Sequence, residues 1–144
     1  MKALPPALVI VLLITACNPS PQPIQMGEEE CAHCNMMISD QQFASQLVTS
    51  TGRHYSFDAI ECMAAYTADF DGEIHSLWVR DYYEYEEWID ATQATFVQSD
   101  EIPSPMSVNI SAYKDREDAQ QQVEDVIDWE DVKRLVADQW GNRH

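Results

Sequence analysis

Basic residues are scarce in this sequence, which has 8 Lys and Arg against 25 Asp and Glu and a formal net charge of −17. So much negative charge repels polyanions, which excludes binding to nucleic acid or to an anionic membrane surface through charge. The same field would attract cations or a basic patch on a protein partner, although dispersed acidic residues also serve simply to keep a chain soluble. There is no glycine-rich phosphate loop and no set of nucleophile, base and orienting residue, so the sequence offers no catalytic motif.

Long hydrophobic runs are also missing, since the apolar run at 7–14 is too short to cross a bilayer as a helix. It follows Lys2 and has the length of a signal-peptide core, so we expect the chain to be exported. The run ends at 14–17 in Ile-Thr-Ala-Cys, which resembles the bacterial lipobox. This predicts that residues 1–16 are removed and that a lipidated Cys17 anchors the protein to the membrane. An ordinary secretory signal followed by an incidental cysteine is the alternative.

The residues after the signal peptide have almost no apolar side chains to bury. Residues 17–30 contain Pro19, Pro21 and Pro23 and end in three glutamates, so we expect a flexible tether. At about 3.1 Å per residue it could hold the domain up to roughly 40 Å from the membrane. Removal of the signal peptide takes away one lysine, which gives a mature charge of 7 − 25 = −18. The expected location is the bacterial periplasm, and Asn18 favours anchoring in the outer membrane over the inner one.

Cysteine is sparse, and its count is odd once Cys17 carries lipid. Cys31, Cys34 and Cys62 remain. In an oxidising periplasm at least one of these thiols stays free unless it pairs between molecules. A free thiol in that compartment requires a reason, and a bound soft metal supplies one.

Soft donors are concentrated in one stretch, residues 31–37. It holds the thiols of Cys31 and Cys34, the imidazole of His33 and the thioethers of Met36 and Met37. Thiolates and thioethers together select Cu(I), whereas zinc prefers four Cys or His ligands and has no use for methionine. The stretch therefore predicts a copper(I) site. A Cys31–Cys34 disulfide beside two core methionines is the alternative.

Hydrophobic periodicity predicts strands and helices in the same order in two halves, at about 31–81 and 91–140, of a domain over 31–144. In the first half we expect strands at 43–49, 54–57 and 74–80, a turn at 50–52, and a helix that ends near 71–72. Asp58 and Glu61 have the form of a capping box at the start of that helix, and its core face would carry Ala59, Met63, Tyr66 and Phe70.

After a tyrosine-rich connector at 82–90, the second half repeats this order. Strands are expected at 94–97, 106–113 and 126–127, a loop at 102–105, a polar helix at 115–123, and a last helix that Asp128 and Asp131 cap. The pattern suggests two strand-strand-helix-strand units, although similarity between the halves is too faint to prove a repeat.

These residues resemble the NosL family, the copper lipoproteins of nitrous oxide reductase maturation. The landmarks occur in order through the mature chain: Cys17; Cys31-x-x-Cys34-x-Met36-x-Ile38-Ser39-Asp40; Phe57-Asp58 with Glu61-Cys62-Met63; Trp78-Val79-Arg80-Asp81; Trp88-Ile89-Asp90-Ala91; and Pro105-Met106 ahead of Ala112-Tyr113. Asn35 and Ser107 stand where the family usually has glycine. Asn tolerates positive φ better than most residues, so Asn35 can keep the backbone conformation.

The resemblance implies an α+β fold of two ββαβ units and a protein that is not an enzyme. It would bind one Cu(I) and deliver it to apo nitrous oxide reductase and its maturation machinery, in denitrification. The implied ligands are Cys34 and Met106, followed by Met36, with Cys31, His33 and Met37 as further candidates.

Two other classes of protein remain open. One is an exported thiol–disulfide exchange protein that uses Cys31 and Cys34, although the motif here follows a tether and precedes a strand, whereas redox motifs open a helix. The other is a structural lipoprotein that a Cys31–Cys34 or Cys31–Cys62 bridge stabilises. The histidines at 54, 75 and 144 are isolated, so they are expected at the surface or satisfied in the core rather than as ligands. Cys62 and Met63 are expected in the helix core.

The lipobox interpretation predicts that Cys17→Ser gives an unlipidated protein, because the acyl chains require the thiol. Labelling of cells with radioactive fatty acid measures this. Equal label in the two forms would contradict a lipid anchor at Cys17.

Overall fold

The computed structural model describes residues 19–141, so the predicted signal peptide, Cys17 and His144 lie outside the described residues. The elements are β1 (Ser45–Thr49), β2 (His54–Phe57), α1 (Ile60–Ala68), β3 (Ile74–Arg80), β4 (Trp88–Asp90), β5 (Thr95–Gln98), β6 (Ile110–Tyr113), α2 (Arg116–Gln120) and α3 (Trp129–Gly141). Within this range, no helix combines the length and apolar character needed to cross a membrane.

The first half forms an antiparallel sheet with the strand order β2-β1-β3-β4. β1 and β2 make the predicted hairpin, in which Ser45 lies opposite Phe57. Gly52 closes its turn with φ of +82°, and its amide donates to the Thr49 carbonyl at 2.9 Å. That conformation is left-handed and costs glycine little. The chain then runs through α1 to β3 on the other side of β1, which confirms the predicted order.

β4 is a strand that the sequence prediction places in a connector. Ile89 pairs with Val79 of β3, and the guanidinium of Arg80 lies 3.6 Å from the ring centroid of Trp88. Arg80 also donates to the Glu86 carbonyl at 3.0 Å. A strand of three residues is too short to show an alternating pattern in the sequence. It forms because the neighbouring strand β3 offers hydrogen-bond partners.

The second half repeats the arrangement in reduced form. β5 pairs with β6 on one side and, through a single antiparallel bridge between Phe96 and Ile127, with the expected last strand on the other. The first strand of the unit again lies between the second and the last. The predicted α+β fold of two ββαβ units is therefore confirmed, with the final strand reduced to one bridge.

The expected strand at 106–113 begins only at Ile110, so the prediction for its first residues is wrong. Met106 and Ser107 lie in a turn. Ser107 and Asn109 both have φ of +64°, which no strand residue adopts. Met106 is therefore a loop residue rather than the first residue of the strand.

One hydrophobic core joins the two halves. Phe57 and Met63 from the first half and Phe96, Val132 and Val136 from the second belong to the same buried cluster, and α1 packs against α3. A site built on α1 is therefore supported by elements from both halves.

The two predicted capping boxes have different outcomes. At α3 the box forms, since the Asp131 amide donates to Asp128 Oδ1 at 2.9 Å and the Asp128 amide donates to Asp131 Oδ2 at 3.3 Å. At α1 the prediction is wrong, because no described side chain caps the helix and Glu61 is fully buried. Its carboxyl group bonds the second half of the chain instead.

The predicted tether also differs from the structure, because much of it packs on the sheet. His54 Nε2 donates to the Ser20 carbonyl at 3.0 Å, and the Gln22 amide donates to Gln46 Oε1 at 2.7 Å. Ile24 is buried in the core. The described residues before Cys31 are thus part of the folded domain, held by backbone and side-chain contacts that composition does not reveal.

Candidate metal centre

Cys31 and Cys34 lie in a tight loop whose flanking residues pair through one antiparallel bridge. The Cys31 amide donates to the Met36 carbonyl at 2.8 Å, and the Asn35 amide donates to the Cys31 carbonyl at 2.9 Å. Asn35 has φ of +60°. This confirms the expectation that asparagine keeps a backbone conformation that favours glycine, and the loop therefore brings both thiols to one side.

The loop is fastened to the end of the first hairpin. The Ala32 amide donates to the Ser56 carbonyl of β2 at 2.9 Å. Asp58 follows the last residue of β2, and Cys62 lies in the first turn of α1. The loop, the strand end and the helix start therefore converge at one point.

Three thiols and one carboxylate meet there. One donor atom from each of Cys31, Cys34, Asp58 and Cys62 can be chosen so that all four lie within 4.8 Å of one another. The Cys34 thiol donates to Asp58 Oδ1 at 3.5 Å. Cys31, Asp58 and Cys62 are buried, whereas Cys34 is partly exposed, so the group faces the surface through Cys34. All three cysteines in the described part of the chain are free thiols.

The three thiols of the group differ in their pKa values. A hydrogen bond with Cys62, helped by backbone hydrogen bonds from Cys34, Asp58 and His33, lowers the pKa of Cys31 to about 6 although burial opposes this. Burial, together with the neighbouring Cys31 and Asp58, raises the pKa of Cys34 to about 11. The hydrogen bond with Cys31, followed by burial, raises the pKa of Cys62. Near neutral pH, Cys31 is therefore a thiolate, while Cys34 and Cys62 keep their protons.

The other predicted donors in the loop lie outside this group. The side chain of Met36 is 51% exposed and that of Met37 is 47% exposed. The imidazole of His33 stacks on the indole of Trp140, with ring centroids 5.6 Å apart and planes inclined by 5°. The loop thus turns its thiols inward, its thioethers toward solvent and its imidazole toward α3.

Met106 lies in a turn that is fixed to the start of α1. Its side chain is partly buried against the core cluster that contains Cys31 and Cys62. Glu61 Oε1 accepts hydrogen bonds from the Ser104 hydroxyl and, at 3.3 Å, from the Val108 amide, one on each side of Met106. Glu61, which holds the turn, directly precedes Cys62, so the Met106 turn is fastened to the same first turn of α1 that carries Cys62.

Sequence reasoning missed Asp58 and Cys62 as members of the cluster. Asp58 is expected there as a helix cap, and Cys62 as a core residue; Cys62 is indeed fully buried, but against the other thiols. Helical spacing does not relate the two, because Asp58 precedes α1 and Ala59 between them is extended, so no periodic signal marks the pair in the sequence.

Fold and site together define a small α+β protein with a cysteine-rich site able to hold a soft metal. The NosL family model matches residues 23–134, and the chain belongs to this family. This confirms the resemblance seen in the sequence. No curated protein matches the chain significantly.

The structure is similar to the crystal structure of the copper chaperone NosL from Shewanella denitrificans. The TM-score is 0.68 at 19% sequence identity, and the match covers 78% of this chain and 95% of that one. At this identity the likeness shows the fold, which agrees with the predicted α+β architecture.

The unequal thiols predict the titration of the metal-free protein. We expect one thiolate to form with a midpoint near pH 6, because Cys31 has a pKa of about 6, while Cys34 stays protonated until about pH 11. The ultraviolet absorbance of the thiolate measures this. Cys62→Ala should move the midpoint upward, since it removes the main hydrogen bond to Cys31. A chain without thiolate absorbance below about pH 8, as for ordinary cysteines, would contradict the arrangement.

Proposed function

We propose that this protein is a Cu(I)-binding metallochaperone of the periplasm rather than an enzyme. The observation that carries the proposal is the convergence of three free thiols, one of which, that of Cys34, is partly exposed. Soft sulfur donors favour Cu(I) over harder ions. The copper chaperone NosL from Shewanella denitrificans has a similar fold, which supports the same role here.

The ligands that we propose are Cys34, Met106 and Met36. Cys34 is the thiol nearest to solvent, and Met36 follows it closely in an exposed position. The hydrogen bonds that tie the Met106 turn to Glu61, the neighbour of Cys62, support Met106 as the third ligand. Exposed donors suit transfer, because an incoming ligand from an acceptor can reach the ion while the first ligands still hold it. Cys31, His33 and Met37 remain further candidates from the same loop.

The recipient that we propose is apo nitrous oxide reductase with its maturation machinery, on the strength of the family resemblance. A lipid at Cys17 would keep the chaperone on the periplasmic side of the membrane. The mature charge of −18 (7 − 25) would favour approach of basic surfaces on a partner.

The arrangement argues against thiol–disulfide exchange. An exchanging pair needs an exposed cysteine with a low pKa as the attacking thiolate. Here Cys31, whose pKa is lowered, is 1% exposed, and the accessible Cys34 has a raised pKa. The loop also lies before a strand rather than at the start of a helix.

Copper binding should depend on pH. Cys34 is protonated below about pH 11, so each copper ion that it binds displaces a proton, and the apparent affinity rises with pH. Between about pH 7 and 9 we expect an increase of about tenfold per pH unit for each thiol proton that copper displaces. Anaerobic Cu(I) titration of the mature chain against a chromophoric chelator measures this and should give one ion per chain.

Zn(II) is the control metal in that titration. A site of Cys34 and two thioethers lacks the four N, S or O ligands that zinc prefers, so equimolar Zn(II) should not compete there. A site made of Cys31, Cys34, Asp58 and Cys62 would instead suit zinc, so the competition shows which donors hold the ion. Equal competition, or an affinity that is flat over this pH range, would contradict the thiolate–thioether site.

Met106→Leu separates a ligand from a packing residue. Leucine keeps the volume and apolar character, so the free energy of unfolding should change by less than about 1.5 kcal/mol. Cu(I) affinity and transfer to apo nitrous oxide reductase should both fall, because the thioether is lost. The matched control is Met63→Leu, which changes a fully buried core methionine of α1 and should leave binding intact. Unchanged affinity for Met106→Leu would show that Met106 only packs.

A further inference from the structure

Cys62 is buried, but its neighbours are not those of an ordinary core cysteine. A free cysteine in a helix core is ordinary, since it behaves as a small hydrophobic residue. Cys62, however, does not face only apolar neighbours, because its sulfur belongs to the same group as Cys31, Cys34 and the Asp58 carboxylate. Burial of polar groups side by side is costly unless they pair with one another or hold an ion.

The distances allow one soft ion to contact both Cys34 and Cys62. Their sulfur atoms lie within 4.8 Å of each other. Metal–thiolate bonds of about 2.3 Å let an ion bridge two sulfurs up to about 4.6 Å apart, which requires almost no movement of the chain. Asp58 draws the Cys34 thiol toward this side of the loop, because it accepts that hydrogen bond.

The turn that carries Met106 is bonded to the neighbour of Cys62. Glu61 accepts hydrogen bonds from Ser104 and Val108, so the turn between them is held against the helical turn that also carries Cys62. Met36 has no comparable fixation of its side chain, which is 51% exposed. Cys34 from the loop, Cys62 from α1 and Met106 from the turn are thus presented by three anchored segments.

The geometry points to Cys62 as a copper ligand that reaches the ion from α1, together with Cys34 from the loop. This inference rests on the proposed function and completes the same site. Binding changes no oxidation state: a Cu–S bond to Cys62 forms as a ligand of the incoming Cu(I) leaves, and the thiol proton passes to solvent. The site then ties the loop to the helix, and Met36 serves as the exposed donor during transfer.

The test uses the mature chain with Cys62→Ala, which keeps a small apolar side chain, and Cys62→Ser, which is nearly isosteric. We expect both to bind Cu(I) about tenfold or more weakly in competition with a chromophoric chelator. X-ray absorption at the copper edge should show one sulfur neighbour fewer than in the unchanged chain. In the unchanged chain, absorption at the sulfur edge should show more than one thiolate bonded to copper.

The control is Met63→Ala, which removes the fully buried side chain next to Cys62 but keeps every thiol. It should lower the melting temperature while leaving the affinity and the sulfur number unchanged. Unchanged affinity and sulfur number in both Cys62 variants, or a single thiolate on copper in the unchanged chain, would overturn the inference. An unchanged chain that binds no Cu(I) would instead contradict the proposed function itself.

Discussion

The hydrogen bonds of the buried Glu61 carboxyl group join the two halves of this domain at the place where the candidate site is built. Glu61 opens α1 in the first half, and its partners Ser104 and Val108 belong to the second. A carboxyl group loses its hydration when it is buried, and this desolvation raises the pKa of Glu61. Hydrogen bonds from Ser104 and Val108 in the other half, together with one from its own backbone amide, offset part of that cost. The position of the Met106 turn therefore depends on the docking of both halves. Donors far apart in sequence can therefore meet only in the folded chain.

The sequence predicts an element of the fold where that element depends on residues near it in the chain, and fails where it depends on distant ones. β1, β2 and β3 and both long helices follow from apolar periodicity, since the pattern within each segment decides its structure. Trp88–Asp90 becomes a strand because β3 offers a partner, and Ser107 and Asn109 adopt positive φ because Ser104 and Glu61 hold their turn. The two capping-box patterns show the limit: Asp128 and Asp131 bond each other, whereas Asp58 and Glu61 are engaged elsewhere.

The site divides in the same way. Density of soft donors within a few residues identified Cys31 and Cys34, which the structure brings together. Asp58 and Cys62 come from separate elements, and each has an ordinary local explanation, as a cap and as a core residue. Their participation follows from the fit of the loop against the end of β2, where one backbone hydrogen bond from Ala32 sets the approach. Tertiary contacts of this kind leave no periodic trace in a single sequence.

The packed segment before Cys31 limits how far a lipid-anchored domain could move from the bilayer. The Ser76 hydroxyl donates to the Pro19 carbonyl at 3.4 Å, and Ser20 and Gln22 are bonded to the sheet as well. With a lipid on Cys17, the flexible linker between the bilayer and the folded domain would be on the order of one or two residues, or roughly 3 to 6 Å, rather than a long tether. The domain would then stay close to the membrane surface in a restricted set of orientations. An acceptor of its copper would then have to come to the bilayer, where confinement raises the local concentration of the two proteins.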